Sequence, residues 1–187
     1  MKKVQKALLV LLRAGLWESR IEDLSCFPMS AGEWKNLYLL SRQQTVTGIV
    51  FQGIQHLPEH FLPAEELLVR WMAETDAIER KNMQMNKALE LLVQWFTESG
   101  VQPVLQKGQG IASLYENPLL RECGDIDFYF DSRQMFEKAF SLICQCGLRG
   151  KVQADQSVTY AWKGVEVEHH TLSLIHISEP TRQEAIS

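Results

Sequence analysis

Asp125 and Asp127 stand two residues apart in the run GDIDFYF, and Lys107-Gly108 lies one short helical stretch ahead of them. Carboxylates are hard oxygen donors that suit Mg²⁺, an ion that keeps several waters and also binds substrate phosphates. A glycine lets the backbone approach a phosphate closely, and amide N–H groups at a helix start favour anions. Lys107 could add a point charge at that turn. Arg121, between the turn and the aspartates, either reaches a phosphate or pairs with one of the acids. Side chains at i and i+2 of a strand share a face, so the two aspartates would present their carboxylates side by side. A third acid must then come from a neighbouring strand. In VEVEHH, Glu166, Glu168 and His170 alternate with Val165, Val167 and His169, so Glu166 or Glu168 could supply it. Moving a nucleoside monophosphate from an NTP requires a held triphosphate, neutralised charge and an activated attacking oxygen. Two cations roughly 3.5–4 Å apart meet the last two needs.

The elements that must position these residues follow from periodicity and punctuation. Leu8, Leu9, Leu11, Leu12 and Leu16 suit one face of an amphipathic first helix. Ser30 can cap a second helix carrying Trp34, Leu37, Tyr38 and Leu40, with Glu33 completing a capping box. An apolar segment runs from Val46 to Ile54 and stops at Leu57-Pro58. Pro63 precedes a long helix over 64–99, with Trp71, Ile78, Leu89, Leu92 and Phe96 on its stripe and Gly100 as its stop. After residue 100 the character changes. Residues 101–106 read as a buried strand, 108–115 as a short helix ended near Pro118, 126–130 as a strand, and 132–146 as a helix stopped by Gly147. Residues 158–162 and 165–169 read as a hairpin around Lys163-Gly164. This order predicts an α+β protein, with a helical region over 1–99 and a mixed sheet flanked by helices over 100–171.

Composition narrows the classes. The 187 residues suit one ordinary domain, or one domain with a small extension, and 45% are hydrophobic. A net charge of -4 gives no strong nucleic-acid signal. The cysteines, Cys26, Cys123, Cys144 and Cys146, have no zinc-ligand spacing and read as buried free thiols in a reducing compartment. The apolar run near the start is broken by Arg13 and lacks a small-residue cleavage site, so it is not read as a signal peptide. No run is long enough to span a membrane. The expected location is cytoplasmic, without a membrane partner.

From Leu172 the text LSLIHISEPTR reads as translated transposon-type sequencing-adapter DNA, and QEAIS fits its continuation. Residues 172–187 are therefore expected to be a non-native tail, with the preceding core truncated near Thr171 and this chain itself inactive. His176, Glu179 and Arg182 receive no role.

The order KG, short helix, PLLR and GDIDFYF, followed by an acid and a histidine in VEVEHH, resembles the uncharacterised nucleotidyltransferase family of the polymerase-beta-like nucleotidyltransferase superfamily. LLRAGLW and EWKNLYLLSRQQTVTGIVFQGIQHLP resemble the helical region ahead of that family's catalytic core, so the resemblance covers nearly all of residues 4–171. It implies a mixed sheet with helices, Mg²⁺ dependence with two ions, and transfer of a nucleoside monophosphate from an NTP. The acceptor is open: protein, RNA or small molecule. By motif match Asp125, Asp127 and Glu168 become the catalytic and metal-binding acids, and Lys107 and Gly108 fall at the nucleotide-phosphate turn. Gly108-Gln109 departs from the Gly-Gly or Gly-Ser that is frequent there.

Each feature also has an ordinary reading. The aspartates could be solvated acids at a strand start, and Lys107-Gly108 a plain strand-to-helix turn. His169 and His170 are more often surface or satisfied residues than ligands. Trp71, Trp95 and the leucine stripes read as core, and Lys2, Lys3 and Lys6 as a solvated helix end. A protein that binds nucleotide or a partner without turnover, on the same fold, is the alternative function. Side chains of Glu166 and Glu168 that both turned away from the aspartates would favour it.

Overall fold

The computed structural model describes residues 2–171; the adapter-like stretch from Leu172 lies outside them. The helices are α1 (Lys3–Leu16), α2 (Ala31–Gln43), α3 (Thr47–Ile54), α4 (Glu65–Glu98), α5 (Gln109–Ala112) and α6 (Arg133–Gln145), with 3-10 turns at Glu59–Phe61 and Pro118–Leu120. The strands are β1 (Val104–Leu105), β2 (Ile126–Phe130), β3 (Lys151–Val152), β4 (Val158–Trp162) and β5 (Val165–Thr171). The architecture is α+β, as expected. No helix among the described residues is long and apolar enough to cross a membrane. The described residues form two compact units: 2–86 with Gly108–Gly124, and Lys87–Lys107 with 125–171.

In the first unit α1 buries Ala7, Leu8, Leu11, Ala14 and Gly15, whereas Leu9 is exposed. The buried stripe thus differs from the leucine face read from sequence, and close packing on α3 is the reason. A Cβ on Gly15 would lie 1.9 Å from the Ile49 carbonyl oxygen, and one on Gly53 would lie 2.0 Å from that of Leu11. Small residues, rather than leucines, face such an approach. Ser30 caps α2 as predicted: its hydroxyl accepts from Glu33 N–H at 3.3 Å, and Ser30 N–H donates back to the Glu33 carboxylate at 2.7 Å. Trp71 is fully buried, and its indole N–H donates to the Thr47 carbonyl at 2.9 Å. Asn82, 1% exposed, holds the second 3-10 turn and the residue that follows it, donating to the carbonyls of Leu119 and Arg121 at 2.7 Å each.

In the second unit the sheet order is β1-β2-β5-β4-β3. β2 and β5 are parallel and the other pairings antiparallel, which makes the sheet mixed. β4 and β5 form the expected hairpin, with Lys163 (φ 50°) and Gly164 (φ 80°) both in the left-handed region. Two such residues make the turn whose twist matches that of the flanking strands. One sheet face is apolar, carrying Ile126, Phe128, Phe130, Val158, Tyr160, Val165, Val167 and His169. Phe96 of α4 and Phe136 of α6 pack their rings against it, 4.8–6.5 Å between centroids in this cluster.

Several local readings are corrected. The strand expected over 101–106 pairs only at Val104 and Leu105; Pro103, lacking an N–H, cannot donate to a ladder. The short helix shrinks to four residues. β3 is an unanticipated strand of two exposed residues. Cys26 and Cys123 are buried, but Cys144 and Cys146 at the end of α6 are exposed. Trp95 is half-buried rather than core, stacked on Trp162 at 5.6 Å. Lys3 and Lys6 are not merely solvated, for they pair with Glu33 at 3.1 Å and Asp23 at 2.8 Å.

Candidate functional site

The sheet face opposite the aromatic cluster carries the acids. Strand alternation sends Ile126, Phe128 and Phe130 inward, so Asp127 and Tyr129 face the other way. On β5 the same rule sends Val165, Val167 and His169 inward and Glu166, Glu168 and His170 outward. The parallel register places Asp127 beside Glu168 and Tyr129 beside His170. The third acid is therefore next to Asp127 on the neighbouring strand. Glu166, one alternation earlier, is exposed and pairs across with Ala161 of β4.

Three ligand atoms, one each from Asp127, Glu168 and His170, lie within 4.8 Å of one another. His170 Nε2 is 3.1 Å from Asp127 Oδ1 and 3.5 Å from Glu168 Oε2. The other Glu168 oxygen, Oε1, accepts from the buried Ser157 hydroxyl at 2.6 Å, which fixes that carboxylate. Asp127 is only 4% exposed, and Lys107 Nζ lies 3.4 Å from its Oδ1. A buried carboxylate needs charge or hydrogen-bond partners. Here a lysine and a histidine supply them, and a divalent cation could take their place.

Asp125 immediately precedes β2 and lies outside this three-residue set. Burial raises its carboxyl above the ordinary aspartate range, Asp127 and Glu168 push the same way, and Lys107 opposes them. Like charges close together disfavour a further ionisation, whereas a nearby cation favours it. The acids thus sense one another even without sharing ligand distances.

His169, on the reverse face, is a satisfied core residue on one side only. Its Nε2 bonds the Tyr160 hydroxyl at 2.8 Å, while Nδ1 is buried without a partner. Burial lowers its pKa to about 3. Gly108 and Arg121 belong to the first unit. Gly108 has φ 51° and ψ -118°, a conformation that L side chains rarely adopt. The Arg121 guanidinium donates to the Gly108 carbonyl at 3.3 Å and to Cys123 Sγ at 2.9 Å. Gln109, the residue that departs from the frequent Gly or Ser, is buried and donates to Asn86 at 3.0 Å.

Two participants were given no site role from sequence, Ser157 and His170, although His170 is the histidine of VEVEHH that matches the family pattern. The pattern of alternation already put His170 on the acid face; only the strand register shows that its ring reaches Asp127. Ser157 had no signal at all, because its contact with Glu168 crosses a hairpin.

No curated protein and no solved structure gives a significant match to the chain. A family model does match, over residues 30–186. The match begins after α1 and runs past Thr171 through most of the adapter-like stretch. It covers the acid-bearing strands, the Lys107-Gly108 turn and most of the helical part, and its family is described as uncharacterised nucleotidyltransferase. On that coverage the chain belongs to this nucleotidyltransferase family.

Proposed function

We propose that this protein is a metal-dependent enzyme that moves a nucleoside monophosphate from an NTP to an acceptor. The observation that carries the reading is the pairing of Asp127 with Glu168 on adjacent parallel strands, on the face turned away from the aromatic core. In the proposed reaction the acceptor oxygen bonds the α-phosphorus, the bond from that phosphorus to the bridging oxygen breaks, and pyrophosphate leaves. The acceptor's proton passes to water.

Asp125, Asp127 and Glu168 would hold divalent cations, taken as two Mg²⁺. When bound, such ions neutralise triphosphate charge and activate the attacking oxygen. The donor chemistry fits: all three are carboxylates, one is buried beside a lysine, and one is reluctant to ionise without a nearby cation. Ser157 holds Glu168 in place. Lys107 supplies positive charge to the phosphates, and Gly108 is taken, on the motif match, as part of the nucleotide-phosphate turn. Arg121, bonded to the Gly108 carbonyl, steadies that turn and adds charge there. The catalytic core is taken to lie within residues 100–171, with 1–99 as a helical region, and the acceptor as a protein, RNA or small molecule.

The test is calorimetry of the four NTPs with Mg²⁺, comparing the protein with an Asp125→Asn/Asp127→Asn variant. Mg²⁺-dependent binding that disappears in the variant is expected. Absent binding, or binding indifferent to the change, would move the assignment to a non-catalytic interaction module.

A further inference from the structure

Three carboxylates would suffice for Mg²⁺, yet an imidazole converges on the same point. We propose, building on the nucleotidyl-transfer reading above, that Asp127, Glu168 and His170 form one mixed oxygen–nitrogen cation position. That position takes a first-row transition dication such as Mn²⁺ in preference to Mg²⁺.

The geometry supplies the first reason. Ligands about 2.1 Å from an octahedral ion stand about 3.0 Å apart when adjacent. His170 Nε2 is 3.1 Å from Asp127 Oδ1 and 3.5 Å from Glu168 Oε2, so both edges that include the imidazole approach that spacing already. The second reason is that the carboxylate is set in advance. Ser157 occupies Glu168 Oε1 at 2.6 Å, which leaves Oε2 as the oxygen turned to His170. A third is that Asp127 is buried and can face only what this corner of the sheet offers. Lys107 Nζ, on a side chain 61% exposed, holds positive charge at the same oxygen and is free to swing out.

Donor type then decides the ion. Imidazole is a poor partner for Mg²⁺, whereas first-row transition ions accept nitrogen and oxygen together. Mn²⁺ stands lowest in the usual affinity order, so it is the most demanding probe of the preference. For His170 to bind through Nε2, its ring proton must sit on Nδ1; the hydrogen bond to Asp127 is exchanged for the ion, with no change in oxidation state.

The experiment is Mn²⁺ titration of the 187-residue chain by electron paramagnetic resonance, with Mg²⁺ as competitor. Pulsed measurements read nitrogen coupling on the bound ion. Mn²⁺ should bind at least about tenfold more tightly than Mg²⁺ and show imidazole nitrogen coupling. His170→Gln should lose that coupling and about tenfold in Mn²⁺ affinity, with Mg²⁺ affinity little changed. Equal affinities without nitrogen coupling, both lost in Asp127→Asn, would overturn this inference while leaving the carboxylate cation site intact. Absence of any cation binding to the unaltered chain, or binding indifferent to Asp127→Asn, would overturn both readings. The nitrogen coupling is read on the unaltered chain, so the test survives a variant that fails to fold.

Discussion

Acidifying the protein should expose the one buried imidazole of the sheet. His169 sits on the apolar face, bonded to Tyr160, with its pKa lowered to about 3 chiefly by burial. An unfolded histidine titrates near 6.5. Between those values the unfolded chain binds a proton that the folded chain refuses, so stability is highest above pH 6.5 and falls as the pH is lowered. The slope is about 1.4 kcal/mol per pH unit, giving a loss of about 3 kcal/mol between pH 6.5 and 4. Other groups titrate in acid too. Asp23, Glu33 and Asp155 have lowered values, so their contributions are lost mainly below pH 4.5, and Asp125 acts in the opposite direction. Comparison with His169→Gln cancels these, since the substitution keeps a polar partner for Tyr160 and removes the titration. Urea unfolding at pH 7, 6, 5 and 4.5 is the assay. The unaltered protein should lose stability steeply while the variant, less stable at pH 7, follows a flatter line. Parallel lines would refute the reasoning, and more than one residue would be at stake. If His169 is not buried, the alternation that turns Glu168 and His170 to the opposite face is wrong as well.

Two further outcomes follow from packing and charge. Asp125→Asn removes a carboxyl whose folded pKa is raised above its unfolded value, so it relieves a penalty that grows as pH rises through that folded pKa. In metal-free buffer at pH 8 the melting temperature should stay level or rise; a clear fall would mean that the carboxylate is structurally paired. Gly15→Ala or Gly53→Ala places a Cβ about 2 Å from a backbone oxygen of the facing helix. Each should cost about 3 kcal/mol or more by thermal unfolding, and a cost under about 1 kcal/mol would show that α1 and α3 do not touch so closely.

The sequence by itself determined whatever depends on near neighbours in the chain. The alternation of VEVEHH assigned Glu166, Glu168 and His170 to one face, because a strand's side-chain period is a local property. The cap at Ser30, the hairpin at Lys163-Gly164 and the extent of α4 within a residue of its predicted ends were legible for the same reason. Only the tertiary structure decided which acid stands beside Asp127. That required β2 and β5, whose paired residues stand 41 apart in the chain, to become parallel neighbours in one particular register. A shift of two residues would have kept every face and put Glu166 there instead. The reach of His170 to Asp127, the clasp of Ser157 on Glu168 and the glycines between α1 and α3 are likewise contacts at long sequence separation. Periodicity names a face, but the position along that face is set by strand pairing and helix packing.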